Sequence, residues 1–227
     1  MIRLTKGSLP SVLHRHATKW RDEYRRRVVE GDESVAKAAE TRYRDPEIKQ
    51  AVLAEANEKC IYCESKPRHV SPGEVEHLLP KSKFPEFIVE WDNLGFVCSE
   101  CNRRKGDYFD ESEPIVNPFA EDPETFLLFA GAIVAERPGS RRGIVTIKGL
   151  GLGRGELVER RTELLRRAQS LINTWAGMPE GPAREAVAGE IRAMGSDSSE
   201  YAAAARSYLR LTGPDAMAEG EPLAASE

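Results

Sequence analysis

The chain has 227 residues, of which 40% are hydrophobic and 31% are charged, and its formal net charge is −4. This balance is typical of a soluble globular protein, and no apolar run approaches the roughly 20 residues that cross a bilayer. Because the start also lacks an apolar signal-peptide stretch, we expect a cytoplasmic protein without a membrane segment. A strongly basic nucleic-acid binder is excluded, so any phosphate-binding surface must be a local basic patch.

The first third of the chain is predicted to be helical. Apolar and aromatic residues recur at helical spacing over 10–29, with arginines between them. A shorter helix is expected over 34–43. Asp45 and Pro46 then have the pattern of an N-cap followed by proline at the first helical position. We expect the helix that they open to end near position 57.

Residues 58–105 have a different character. Helical periodicity stops there, and prolines and glycines divide the chain into short pieces. Two pairs of cysteines lie in this stretch, and the chain has no others. The pattern is typical of a small module organised by metal, because a bound ion replaces much of the missing apolar core.

Beyond this module, an Asp-Pro pair predicts a short helix over 123–129. Apolar runs at 132–134 and 143–147 flank turn-forming residues at 137–140, which is the pattern of a β-hairpin. Glycines at alternate positions over 149–155 lack the lysine and the spacing of a phosphate-binding loop. We therefore expect a flexible connector there.

The rest of the chain is predicted to be helical up to a short tail. One amphipathic helix is expected over 156–175, where apolar residues mark a single face, and two more over 183–194 and 198–211. The tail over 213–227 is small, acidic and proline-bearing, which is typical of disorder. These elements together predict an α+β fold that is mostly α-helical.

The four cysteines form two Cys-x-x-Cys pairs. Cys60 and Cys63 make the first pair, Cys98 and Cys101 the second. Two such knuckles complete a closed tetrahedral four-thiolate site, so we predict a structural zinc ion. Four unrelated buried cysteines would not fall in pairs, and a redox Cys-x-x-Cys requires a thioredoxin-like βαβ unit, which surrounds neither pair. A reducing compartment also favours metal over disulfides.

Between the two cysteine pairs, Glu76 and His77 stand side by side in a predicted short strand. A carboxylate holds a hard divalent cation, and an imidazole takes a proton from water near neutral pH. A Glu-His dipeptide by itself is weak evidence, because most single histidines are structural or exposed. The motifs around the dipeptide are what strengthen it.

The order Cys-x-x-Cys, Glu-His, Asn-Leu and Cys-x-x-Cys-Asn-x-x-Lys resembles the HNH endonuclease family in its four-cysteine form. The resemblance implies a ββα-metal finger that uses one divalent ion to hydrolyse a phosphodiester bond. It implies that His77 is the general base and that Glu76 and Asn102 are ligands of that ion. Asn93 stands where the family has an asparagine that orients the loop and the histidine. An amide ligand at position 102 favours Mg²⁺ or Mn²⁺ over a second zinc.

A closer resemblance rests on longer segments. They are Cys60-Ile61-Tyr62-Cys63-Glu64, Glu76-His77-x-x-Pro80-Lys81-Ser82, Trp91-x-Asn93-Leu94 and Asn117-Pro118-Phe119. These segments resemble the PtuB-like HNH subunits of Septu-type and retron-associated anti-phage defence systems. The similarity covers roughly residues 1–175 and not the helices after Met178. It implies a partner ATPase of the ABC/SMC class, PtuA-like, and in retron-associated systems a reverse transcriptase with its msDNA.

Five basic residues near the candidate site are predicted to contact nucleic-acid phosphates, which gives affinity without sequence information. They are Lys81, Lys83, Arg103, Arg104 and Lys105. For any one of them, a solvated charged surface is an equally good interpretation. As a group beside the proposed metal they favour nucleic acid, with DNA expected and RNA, including tRNA, left open.

Three functions are compatible with these patterns. The first is an HNH nuclease that serves as a phage-defence effector under the control of an ATPase. The second is a non-catalytic zinc-knuckle subunit that binds nucleic acid or protein, and the third is a structural subunit whose helices serve assembly. We expect the nuclease. Its predicted parts are a helical docking region at 1–57, the HNH module at 58–120, a hairpin and helical region at 121–212, and the tail at 213–227.

Overall fold

The computed structural model describes residues 1–67 and 71–213. The predicted disordered tail lies outside them from position 214 onward. Within the described residues the chain is mostly helical with two small hairpins, so the predicted α+β class is confirmed. The helices are α1 Ser11–Tyr24, α2 Pro46–Glu55, α3 Ser99–Lys105, α4 Arg141–Leu150, α5 Gly155–Ala176, α6 Pro182–Ala193 and α7 Ala202–Thr212.

The strands form two separate antiparallel hairpins in which each strand pairs with the next along the chain. They are β1 Glu74–His77, β2 Leu94–Val97, β3 Leu127–Ala130 and β4 Ile133–Glu136. In the first hairpin, Glu74 stands opposite Val97 and His77 opposite Leu94. Because α3 follows β2 directly, these three elements make the compact ββα unit that the sequence predicts.

The N-terminal region is helical as predicted. α1 continues into a π-helical turn over Arg25–Val29, which completes the helix expected over 10–29. A 3₁₀ helix over Lys37–Arg44 takes the place of the short helix that follows. α2 begins as expected, because the side chain of Asp45 accepts a hydrogen bond from the amide of Glu47 at 2.9 Å and Pro46 occupies the first turn.

α2 joins this N-terminal region to the ββα unit. It packs against β2 through a buried aliphatic face that includes Val52 and Leu53. Near its end, the carboxylate of Glu55 accepts a hydrogen bond from Nζ of Lys6 at 2.8 Å, and the same ammonium group donates to the carbonyl oxygen of Leu94 at 2.6 Å. The start of β2 is thereby tied to α2 and to the N-terminal segment.

The second hairpin corrects the prediction. The strands expected at 132–134 and 143–147 do not pair with each other; β3 and β4 pair instead, and residues 143–147 lie inside α4. Gly131 has a φ of +61°, which suits a two-residue turn between β3 and β4. The hydroxyl of Ser140 accepts a hydrogen bond from the amide of Gly143 at 3.0 Å, which caps the start of α4.

Two neighbouring predictions also change. The short helix expected over 123–129 is limited to a 3₁₀ turn at Pro123–Thr125, because the apolar residues after it form β3 and pack against α7. The glycine-rich connector is a short turn: α4 ends at Leu150, Gly151 follows it with a φ of +59°, and α5 begins at Gly155. The turn packs against α3, because a Cβ on Gly151 would meet the side chain of Arg104 at 2.8 Å.

The last three helices match the predicted ones, although α7 begins at Ala202 and not near position 198. Ile172 of α5, Ile191 of α6 and Leu209 of α7 share one apolar cluster. A larger core connects the N-terminal region, the ββα unit and the first turn of α7. Across the described ranges, no helix combines the length and apolarity that spanning a membrane requires.

Candidate functional site

The four cysteines meet at one end of the ββα unit. Cys60 and Cys63 lie in a turn after α2, while Cys98 and Cys101 lie at the start of α3. All four are buried, and their sulfur atoms lie within 4.8 Å of one another. The sulfur of Cys98 also accepts a hydrogen bond from the amide of Cys101 at 3.4 Å, so it caps α3 as well.

These sulfur positions fit a tetrahedral metal ion. Zinc–sulfur bonds of about 2.3 Å place the sulfurs of a tetrahedron about 3.8 Å apart, and the sulfurs of Cys63 and Cys98 are 3.8 Å apart. Within residues 1–67 and 71–213, this is the one group of three or more Cys, His, Asp or Glu side chains placed to hold a metal. Because four thiolates complete the coordination of zinc, the cluster fits the closed structural site that the sequence predicts.

One face of β1 is acidic and turns toward α3. Glu74 and Glu76 share this face, because side chains alternate along a strand. The amide nitrogen of Asn102 donates a hydrogen bond to Glu74 at 2.5 Å. Nζ of Lys105 lies 2.5 Å from Oε1 of Glu76. Asn102 and Lys105 are three residues apart on one side of the helix, so the two pairs lie side by side.

Glu76 is almost inaccessible, with 5% of its surface exposed. Burial raises the pKa of its carboxyl group, and the charge of Lys105 opposes that rise. The Lys105 ammonium group is in contact with Oε1, so the ion pair occupies this side of the carboxylate.

His77 ends β1 and lies on the opposite face of the strand from Glu76. Its Nε2 lies 2.8 Å from the carbonyl oxygen of Ile88, and the Tyr43 ring meets the imidazole edge-on at a centroid distance of 4.5 Å. Burial lowers the pKa of His77 to about 4, against the opposing effect of the Ile88 hydrogen bond. The imidazole is therefore neutral at pH 7. Since a carbonyl only accepts, Nε2 carries the proton and Nδ1 the lone pair.

Asn93 is buried immediately before β2. Its Oδ1 accepts a hydrogen bond from the amide of Leu79 at 2.7 Å, and its Nδ2 donates to the carbonyl oxygens of Leu79 and Phe87, both at 3.1 Å. Asn93 therefore joins the segment after His77 to the segment that leads to Ile88. These are the two segments whose relative position sets the His77 hydrogen bond.

Four of the five basic residues predicted to contact phosphate lie at the surface or near it. Lys83 is exposed and Lys81 is partly exposed. Arg103 and Arg104 are exposed on α3, where both pair with Glu100. Surface ion pairs of this kind are weak, so they leave both arginines able to exchange their partner for a phosphate.

Lys105 is placed differently. It is 3% exposed, its ammonium group pairs with Glu76, and it donates a hydrogen bond to the carbonyl oxygen of His77 at 2.8 Å. The charge of Lys105 thus neutralises a carboxylate inside the ββα unit and is not presented to solvent, where a phosphate would meet it.

Two residues of the site were not predicted from the sequence. Glu74 stands two positions before Glu76, and strand alternation would have placed both on the same face. Tyr43 packs on His77 from the 3₁₀ helix of the N-terminal region. No local pattern predicts that contact, because it joins parts of the chain that only the tertiary fold brings together.

Residues 60–108 match the family model described as HNH endonuclease. The match begins at the first cysteine of the cluster and includes β1, β2 and α3. This segment is an HNH domain. It holds all four cysteines together with Glu76, His77, Asn93 and Asn102.

Curated relatives extend this similarity beyond the HNH domain. The Septu protein PtuB of Bacillus thuringiensis is 35% identical over 128 residues, which cover 56% of this chain and 46% of the relative. The Septu protein PtuB of Bacillus mycoides (strain KBAB4) is 30% identical over 153 residues, which cover 54% of this chain and 52% of the relative. The chain thus spans about half the length of these relatives. It is PtuB-like, and its HNH domain is of the four-cysteine type.

Proposed function

We propose that this protein is a metal-dependent nuclease that hydrolyses phosphodiester bonds of nucleic acid. The observation that carries the proposal is the state of His77 in the HNH domain. It is a neutral imidazole held through Nε2 by the Ile88 carbonyl oxygen, next along the strand to the buried carboxylate of Glu76. An oriented base beside a carboxylate that can bind metal is what hydrolysis of a phosphodiester requires.

In this mechanism, His77 removes a proton from the attacking water through Nδ1. The hydrogen bond from Nε2 to Ile88 sets the tautomer and the direction of the ring, as a second group does for many general bases. Asn93 acts on the base indirectly, because its hydrogen bonds join the two segments that carry His77 and Ile88. It is therefore a positioning residue for the base.

Glu76 and Asn102 would hold a divalent ion such as Mg²⁺ or Mn²⁺, since both supply oxygen ligands. When bound, such an ion neutralises the phosphate and stabilises the leaving oxygen. The chain's own contacts support these roles. Glu74 binds the nitrogen of the Asn102 amide, so Oδ1 is the atom left for a cation. Lys105 offsets the charge of the buried Glu76 carboxylate.

The exposed basic residues would bind the substrate backbone. Arg103 and Arg104 lie on α3 next to Asn102, and Lys81 and Lys83 follow β1 in the chain. Contacts of this kind give affinity to any phosphodiester chain and no base preference. We propose DNA as the substrate, and RNA, including tRNA, is compared directly in the experiment below.

We also propose that the protein is the nuclease subunit of an anti-phage defence complex and acts with an ABC/SMC-type ATPase, PtuA-like, in the cytoplasm. The similarity to proteins named Septu protein PtuB supports this. A reverse transcriptase and msDNA are additional partners only if the system is of the retron-associated kind, which stays a prediction from the sequence.

A second candidate function is a non-catalytic zinc-knuckle subunit. The burial of the site favours this function. His77 is 6% exposed and Lys105 is 3% exposed, and Lys105 occupies one side of Glu76. A buried base and an internally paired carboxylate are also what a purely structural network would show.

One experiment separates the two. The full chain is incubated with Mg²⁺ or Mn²⁺, with and without the partner ATPase, and with single-stranded DNA, duplex DNA or tRNA. We expect cleavage by the wild type and a loss of at least about 100-fold in His77→Ala, with His14→Ala, an exposed histidine on α1, as the matched control. Equal rates for His77→Ala and wild type contradict the assigned base. Binding of nucleic acid without cleavage under every condition favours the non-catalytic subunit.

A further inference from the structure

One arginine of the C-terminal half, Arg154, lies beside the four-cysteine cluster, and in the described residues it has no carboxylate as hydrogen-bond partner. We propose that Arg154 is a counter-ion of a negatively charged zinc–tetrathiolate centre and a positioning residue for Cys101. The inference rests on the structural zinc and not on nuclease activity.

The centre itself is charged. Four thiolates outweigh one Zn²⁺, so the complete site carries a formal charge of about −2. All four cysteines are buried, and an uncompensated buried charge is strongly destabilising even after the protein relaxes around it. Groups that supply positive charge next to the sulfurs therefore stabilise the metal-bound form, as outer partners of metal ligands do in general.

Arg154 has the geometry for this role. Its Nη1 and Nη2 lie 3.8 Å and 3.9 Å from the sulfur of Cys101. The same Nη1 donates to the carbonyl oxygens of Gly151 at 3.2 Å and Leu150 at 3.3 Å. The guanidinium thus bridges the zinc cluster and the turn between α4 and α5.

The test measures how firmly zinc is held by the full chain. Zinc-loaded Arg154→Met is mixed with the chromogenic chelator 4-(2-pyridylazo)resorcinol, and the release rate is compared with wild type. The matched control is Arg160→Met, an exposed arginine of α5 that pairs with Glu163 at 3.2 Å. We expect zinc release at least about tenfold faster in Arg154→Met and no change in Arg160→Met.

A spectroscopic readout distinguishes the proposed contact from simple packing. In Co²⁺-substituted protein, the sulfur-to-cobalt charge-transfer band is expected to shift in Arg154→Met, because an N–H donor to the Cys101 sulfur is removed. Arg154→Lys keeps the charge but loses the planar fork, so its release rate is expected between those of wild type and Arg154→Met. A role in packing alone would leave the band in place.

The outcomes separate the proposal from the zinc assignment. If wild type holds zinc on four thiolates but Arg154→Met releases it at the wild-type rate with an unshifted cobalt band, the counter-ion proposal is wrong and the zinc site stands. If wild type binds no zinc, the metal assignment itself fails. Should Arg154→Met not fold, Arg154→Gln is measured in its place, and a wild-type rate there also overturns the proposal.

Discussion

The HNH domain and the C-terminal helices are stabilised in opposite ways. The domain consists of two four-residue strands and a seven-residue helix, elements too short to be stable alone. Its interior holds four cysteines and the charged pair Glu76 and Lys105. The helices α5 to α7 are 22, 12 and 11 residues long and meet through aliphatic side chains such as Ile191.

This difference shows how one chain combines a precise site with a tolerant scaffold. In the HNH domain, buried polar groups are held by specific partners, so a change in one of them leaves another without its partner. Between the helices, apolar contacts are non-directional, and the loss of one side chain leaves only a cavity. Five changes test this comparison, from the largest expected effect to the smallest.

Removal of zinc is expected to have the largest effect. A structural zinc ion contributes on the order of 10 kcal/mol to folding, so a strong chelator should abolish amide protection across residues 60–108. Protection in α6 should persist, because it packs against α5 through apolar side chains. Hydrogen exchange read by mass spectrometry checks this. Simultaneous loss of protection in both regions would show that they are one cooperative unit.

Lys105→Met is expected to destabilise the protein by about 3–5 kcal/mol, since it leaves the buried Glu76 carboxylate without its counter-charge. Urea unfolding measures the change. The double variant with Glu76→Gln should recover part of the loss, because the uncompensated charge is then gone. A double variant no more stable than Lys105→Met would contradict the ion pair as the cause.

Ile191→Ala tests the other region. The side chain is fully buried at 0% exposure, so its truncation should cost about 2–4 kcal/mol through lost packing and a cavity. Both the zinc release rate and any cleavage rate of the folded variant should remain at the wild-type values. A changed zinc release rate would mean that the two regions are coupled more tightly than their contacts indicate.

Asn93→Ala is expected to cost about 1–3 kcal/mol, because it removes three hydrogen bonds and leaves the partners at Leu79 and Phe87 unsatisfied. The imidazole of His77 should also lose its defined orientation. NMR of the imidazole nitrogens would report this as the loss of a single Nε2-protonated tautomer. A retained tautomer would show that Ile88 alone is sufficient to orient the ring.

Glu74→Gln is expected to have the smallest effect. The residue is partly exposed, so stability should change by less than about 1 kcal/mol. If Glu74 directs the Asn102 amide, the affinity for Mn²⁺ should nevertheless fall, by roughly tenfold. Isothermal titration with Mn²⁺ measures it, with Glu100→Gln on the outer side of α3 as control. Equal affinities in both variants would remove Glu74 from the site.

Prediction from the sequence was most successful where chemistry depends on spacing along the chain. The two Cys-x-x-Cys pairs predicted a four-cysteine cluster, and Asp45 with Pro46 predicted the start of α2. It was least successful over 123–147, where a short helix and the wrong hairpin were predicted. The local pattern there was ambiguous, because the same apolar run suits a strand or a helix. The hydroxyl of Ser140 caps the first turn, which favours the helix α4 over a strand.

The sequence by itself determined the four paired cysteines, the adjacent Glu76-His77 pair and the helical character of both ends, because these follow from residue type, spacing and periodicity. Only the tertiary structure decided the state of those residues. It buried His77 against Tyr43 and lowered its pKa, turned Lys105 inward onto Glu76, and brought Arg154 to the sulfur of Cys101. Burial and charge pairing depend on which distant segments meet, and no local pattern contains that information.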